Sequence, residues 1–148
     1  MSEHIQSRNA DGVLTLTLAR ADKKNAITDA MYGALADALE AAERDSSVRV
    51  VLLRAEGDMF SAGNDIGEFA STAMTGGKGA GNRNVIRFLH ALARATRPLV
   101  AAVQGRAVGI GTTMLLHCDF VLLADNAQLS TPFVNLALVP EAASSLLM

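Results

Sequence analysis

"RPLVAAVQGRAVGIGTTMLLHCDFVLLADNAQLSTP", residues 97–132, is the stretch whose reading decides the fold. Pro98 closes the segment before it, because the residue ahead of a proline is pushed out of the helical region. "LVAAV" reads as a strand, "QGRAVGIG" as a tight loop of small residues, and "TTMLLHC" as a short buried helix. "DFVLLAD" is a further strand and "AQLS" another short one. Strands that alternate with helices argue for an α/β chain with crossover connections.

The upstream sequence repeats the pattern. "HIQSRNADGVLTLTLAR" predicts two strands around Asp11-Gly12, a hairpin turn signal. Leu14, Leu16 and Leu18 alternate with Val13, Thr15 and Thr17, which gives one apolar face. "TDAMYGALADALEAAERD" is helical, with Thr28 as N-cap and Met31, Leu35 and Leu39 on one stripe. "VRVVLLRAEG" is a buried strand by length and β-branched content. "DMFSAGNDIGEF" is a loop turning into a helix, and "STAMTGGKGAGNR" reads as a solvated, mobile linker. "NVIRFLHALARAT" is a second helix whose Val85, Phe88, Leu89 and Leu92 make an apolar face. No repeat and no dividing linker is visible, so a single domain over residues 1–148 is expected.

Composition narrows the function. The 148 residues are 50% hydrophobic and 19% charged, with a net charge of -2. That is a globular composition without the basic excess a nucleic-acid binder needs. A local pair such as Lys23 and Lys24 would still suffice for an anionic small ligand. A single cysteine, Cys118, allows no intrachain disulfide. His4, His90 and His117 lack metal-ligand spacing, so no metal is expected. The polar start and the absence of a long apolar run predict no signal peptide and no membrane partner, hence a cytoplasmic protein.

Two loops share one design, in which a strand runs into small residues and then a helix: "VVLLRAEGDMFSAGNDI" and "LVAAVQGRAVGIGTTM". Small residues let a ligand approach the backbone, and a helix start offers unpaired N–H groups to an anion or a developing oxyanion. Met114 stands where a dinucleotide fingerprint would need its third glycine, and no Gly-Lys-Ser/Thr follows. Either loop alone reads as a tight connection; two in one short domain argue for a site.

"KNAI", "FSAGNDI" and "RPLVAAVQGRAVGIG…CDFVLLADNAQLSTP", in this order and at these separations, resemble the crotonase superfamily of enoyl-CoA hydratases and isomerases. The resemblance runs from about Val13 to the end. It implies a spiral of β-β-α units, trimeric or a dimer of trimers, acting on acyl-CoA thioesters as substrate with no further cofactor. If the source is eukaryotic, it also makes a peroxisomal or mitochondrial matrix location an option. By resemblance, the oxyanion donors are the backbone N–H groups of Asn64 and Ile110; isoleucine there is tolerable at negative φ and is expected to narrow the pocket. Loss of the Asn64 side chain is expected to be mild on this view, because the donor is backbone. The adenine pocket maps onto Ala62, Gly63, Asp65 and Ile66, and the strip bordering CoA onto Lys24, Asn25, Ala26 and Ile27. Gly109, Gly111, Pro132 and Phe133 complete the expected substrate contacts.

The two glutamates of the family's hydratases fall at Thr113 and Phe133, and neither residue can move a proton as a carboxylate does. Glu141 in "VPEAASS" matches the single glutamate of peroxisomal-type Δ3,Δ2-enoyl-CoA isomerases. On spacing alone Glu141 only opens a C-terminal helix after Pro140, where an acidic residue suits the helix dipole. The resemblance turns the reading towards a catalytic base. It also implies a longer parent, with "AASSLLM" as a helix cut in its first turns. The expectation is therefore an N-terminal core without the family's C-terminal helical part. Other reactions on the same scaffold, hydration or dienoyl-CoA isomerisation, stay open, as does a non-catalytic CoA-binding or assembly subunit.

Overall fold

The structure, a computed structural model, describes residues 2–68 and 83–148. Most of the glycine-rich stretch read as a mobile linker lies outside the described residues. Asp11 and Gly12 both adopt positive φ, 54° and 84°. This is the backbone twist a two-residue hairpin turn demands. They join β1 (Ile5–Ala10) to β2 (Val13–Leu18) in antiparallel register, with Ile5 opposite Leu18. Along β2, Leu14, Leu16 and Leu18 are all buried, as the alternation predicts.

The hairpin feeds α1 (Asp29–Arg44), capped by Thr28, whose Oγ1 accepts from Met31 N at 3.3 Å. Met31, Leu35 and Leu39 form the buried stripe of this helix. β3 (Val50–Ala55) and β4 (Leu99–Val103) continue the sheet in parallel. α2 (Arg83–Arg94) buries Phe88 and Leu92, packs on α1, and places Phe88 5.6 Å from Tyr32 between ring centroids. The sheet order is β1-β2-β3-β4-β6, with β6 (Phe120–Leu123) parallel to β4 at the edge. The core lies between one face of this sheet and the two helices, where Leu16, Val51, Leu99 and Ala101 meet Met31, Leu35 and Phe88.

The loop expected over "QGRAVGIG" is corrected by a short strand inside it, β5 (Arg106–Val108), which pairs in parallel with β7 (Gln128–Ser130). Ser61 adds a parallel bridge to Ala107 on the other side of β5. A second, smaller layer thus gathers one short segment after each of β3, β4 and β6. Three residues carry too little period to announce a strand; the pairing is imposed by neighbours distant in sequence. α3 (Ile110–Thr113) follows β5 and tightens into a 3₁₀ turn over Met114–His117. α4 (Ser144–Leu147) ends the described chain.

The α/β class with crossovers is as expected, and strand–strand–helix units recur along it. Apolar side chains are also exposed in number. Phe120 and Leu122 on β6 are 59% and 54% exposed, and Val134, Val139 and Leu146 exceed 80%. A chain of this size rarely leaves so much apolar surface uncovered.

Candidate active site

Three motifs far apart in sequence lie side by side. Residues 61–65 form the middle strip. On one edge they bond to the "KNAI" loop: Ala62 N donates to Lys24 O at 2.9 Å, Ile27 N to Gly63 O at 2.8 Å, and Asp65 N to Ile27 O at 3.0 Å. On the other edge Ser61 N donates to Arg106 O at 3.1 Å, and Val108 N donates to Ser61 O at 3.0 Å. Two glycines permit this closeness. A Cβ on Gly63 would lie 2.9 Å from Val108 O, and one on Gly111 would lie 2.9 Å from the Cβ of Ser61.

The strip fixes two peptide planes. Gly63 O is captured by Ile27 N, and every peptide bond described is trans. The N–H of Asn64, on the same plane, therefore points away from Ile27, towards the edge where Ser61 meets β5. Gly109 O accepts from both Thr112 N and Thr113 N at 2.9 Å. The N–H of Ile110 therefore points out of the start of α3. Among the described residues, neither N–H donates a hydrogen bond. Ile110 has no positive φ and its side chain is 1% exposed, inside the core. The expected narrowing of a pocket by that side chain is thus corrected: it points into the protein, and only its backbone faces out.

Glu141 is half-buried. Thr113 Oγ1 stands 3.5 Å from Glu141 Oε1, at the outer limit of a hydrogen bond. Burial pushes the carboxyl above the usual carboxylate range, and the Thr113 hydroxyl offsets this only in part. The backbone around it is held from two sides. His117 Nε2 donates to Ala142 O at 2.9 Å, and Ser144 N donates to Glu141 O at 2.9 Å. Ala142 and Ala143 both sit at positive φ, 53° and 54°. Such strain costs about 1 kcal/mol or more per residue, so the surrounding contacts must over-determine this turn. The phenol of Tyr32 lies within electrostatic reach of Glu141: burial first, and then the Glu141 charge, push it well above the ordinary tyrosine value. The Tyr32 O–H donates to Asn64 Oδ1.

The remaining candidates divide. Asp65 accepts from Arg20 Nη1 at 2.6 Å and from Glu68 N at 3.2 Å. The Arg20 bond, more than any other cause, holds its carboxyl below the usual range. Asp65 is therefore a structural anion at a helix start, not a base in reserve. Asn25 is fully buried: its Oδ1 accepts from Arg20 N, and its Nδ2 donates to Glu56 O and Met59 O at 2.8 Å. Ile27 belongs to the core. Both residues shape the strip, and their side chains present nothing to a ligand on its surface. Ala62 and Ala26 are half-buried, and Ile66 is exposed. Lys24 bonds Asp58 at 3.0 and 3.1 Å, so its charge is already partly offset. Gly109 N is tied to Ser130 O, Pro132 is half-buried after β7, and Phe133 is buried. Among the described residues no group of His, Cys, Asp and Glu could hold a metal ion. No described helix is long and apolar enough to cross a membrane.

Sequence reasoning missed Tyr32, Arg20, Ser61 and His117. For Tyr32 a signal existed: it is the only tyrosine of the chain, next to Met31 of the buried stripe, and a buried phenol needs a partner. Nothing in the spacing pointed to the other three.

Comparison with known proteins identifies the family. The enoyl-CoA hydratase/isomerase family model matches residues 8–148. The chain is 40% identical to enoyl-CoA delta isomerase 2 of Rattus norvegicus, covering 97% of this chain and 37% of that protein. It is 35% identical to 1,2-epoxyphenylacetyl-CoA isomerase of Escherichia coli K12, covering 100% of this chain and 58% of that one. Among solved structures, Pseudomonas aeruginosa OdaA superposes with a TM-score of 0.89 at 50% identity, over 98% of this chain and 57% of that chain. The chain thus spans between about a third and three-fifths of the length of these relatives. The paired motif strips, the crossover fold and the family match lead to one conclusion: the chain belongs to the enoyl-CoA hydratase/isomerase family.

Proposed function

We propose that the protein is an enoyl-CoA isomerase that moves a double bond of an acyl-CoA thioester, with Glu141 as its single base. The observation that carries this reading is the pair Thr113 and Glu141. The two positions where the family's hydratases hold glutamates carry Thr113 and Phe133, and the carboxylate beside Thr113 is Glu141.

The chemistry needs one carboxylate and two donors. Glu141 removes a C2 proton from the 3-enoyl thioester, and the C–H electron pair passes into a dienolate. The negative charge collects on the thioester oxygen, which accepts hydrogen bonds from the N–H groups of Asn64 and Ile110. Losing one such donor typically costs about 10²–10³ in rate. The protonated Glu141 then returns its proton to C4, which leaves the double bond between C2 and C3. Its half-buried position makes it a stronger base than a solvated glutamate. Hydration would need a second group to activate water. Lys23 and Lys24, both exposed where the "KNAI" loop begins, supply cations for the phosphates of CoA.

The test is to incubate the purified protein with a 3-enoyl-CoA and, separately, a 2-enoyl-CoA, following the conjugated thioester absorbance. An isomerase raises it from the first substrate, a hydratase lowers it from the second, and a binding module changes neither. Glu141→Gln should cut isomerisation by at least about 10²-fold while CoA binding persists. Near-normal turnover in that variant would refute Glu141 as the base and leave it only a residue of the turn ahead of α4, which starts at Ser144 and not at Glu141 as the spacing after Pro140 predicts.

A further inference from the structure

Tyr32 lies on the buried stripe of α1, 4% exposed, with its ring against Phe88. Phenylalanine would fill that space equally well. What the tyrosine adds is one O–H, and it donates that proton to the side-chain oxygen of Asn64, 32 residues away. Asn64 does not need Tyr32 to satisfy its amide, because the residue is only partly buried and water can reach it.

The Gly63–Asn64 peptide is anchored at one end only, by Ile27 N on Gly63 O. The N–H on that plane makes no hydrogen bond among the described residues, so its aim depends on how the groups flanking it are held. The Tyr32–Asn64 bond is a second anchor, on the side chain of the residue that carries this N–H. We propose that Tyr32 is a positioning residue: by holding the Asn64 side chain it fixes the backbone N–H of Asn64 towards the thioester oxygen. The inference rests on the oxyanion role given to that N–H above. Tyr32 does not touch the reacting atoms. Its only proton is committed to Asn64, so it donates nothing to Glu141. Its own burial, and then the nearby Glu141 charge, keep the phenol protonated, and so keep the anchor in place.

The experiment measures carbonyl polarisation and turnover separately. The probe is 4-dimethylaminocinnamoyl-CoA, a push–pull thioester whose absorbance moves to the red when its carbonyl accepts hydrogen bonds. The wild-type protein should show a red shift on binding. Tyr32→Phe should lose about half of it, as expected when one of two donors is misaligned. With a 3-enoyl-CoA, kcat should fall about 3- to 10-fold, the worth of one neutral hydrogen bond. KM should stay within about twofold, because an N–H to the thioester oxygen is worth far more to the enolate than to the ground-state carbonyl. Asn64→Ala should behave alike, and the double variant should be no worse than either single one. An unchanged red shift and kcat in Tyr32→Phe, with only a lower melting temperature, would make the tyrosine purely structural and overturn the proposal while the site reading stands. A wild-type protein that binds the probe without any shift overturns the oxyanion reading and this proposal together. Should Tyr32→Phe fail to fold, Asn64→Ala carries the same decision, since an unchanged shift there breaks the link.

Discussion

Alanine at Gly63, Gly109 and Gly111 separates the two physical costs of bringing these loops together. Gly109 has φ 55° and open space within 4 Å of where a Cβ would stand, so Gly109→Ala incurs backbone strain alone, about 2 kcal/mol. Gly111 has no positive φ, but its Cβ would meet Ser61 Cβ at 2.9 Å and Ser61 O at 3.1 Å. Overpacking of that kind costs about 2 kcal/mol, offset by about 1 kcal/mol because Gly111 is helical and alanine is the better helix former. Gly63 suffers both costs: φ 91°, and a carbonyl, Val108 O, 2.9 Å away that is fixed in backbone and cannot swing aside. Gly63→Ala should therefore cost about 4 kcal/mol, against about 2 for Gly109→Ala and about 1 for Gly111→Ala. In a chain of this length that ranking corresponds to melting points lowered by about 12, 6 and 3 °C, readable by circular dichroism. If Gly63→Ala melts no lower than Gly109→Ala, the 61–65 strip does not lie against β5 as described, and the geometry of both N–H groups falls with it.

Isomerisation should rise with pH through the raised Glu141 value, so its acid limb lies above the usual carboxylate range in a kcat/KM profile. The stability sign is opposite: a folded pKa above the unfolded one favours the fold at low pH, and that contribution is lost as pH climbs through the folded value. Glu141→Gln should accordingly melt higher than wild type at neutral pH. Asp65, held low by Arg20, works the other way, contributing stability above the usual carboxylate range that disappears as pH falls through its folded value. Asp65→Asn should cost about 1.5 kcal/mol in urea titrations at neutral pH and nothing in strong acid. With Phe120, Leu122, Val134 and Val139 exposed, the 148-residue chain alone should self-associate in light scattering; a stable monodisperse monomer would refute this.

The sequence by itself determined the elements whose signals are local. The leucine alternation of β2, the Thr28 cap, the stripe of α1 and the Asp11-Gly12 turn all act over a few residues, and each stands where the periodicity put it. The family resemblance of its motifs, and not their composition, proposed Asn64 and Ile110 as oxyanion candidates. Tertiary structure alone decided what depends on chain segments meeting. β5 exists because Ser61 and β7 flank it, not because three residues prefer to be extended. The Ile110 side chain turns into the core, a direction set by packing and not by its place in the motif. Arg20 braces both Asn25 and Asp65, its N–H bonding the first side chain and its guanidinium the second. The Tyr32–Asn64 bond spans 32 residues and that between Thr113 and Glu141 spans 28. Such contacts have no period and no propensity; only the folded chain brings their two halves together.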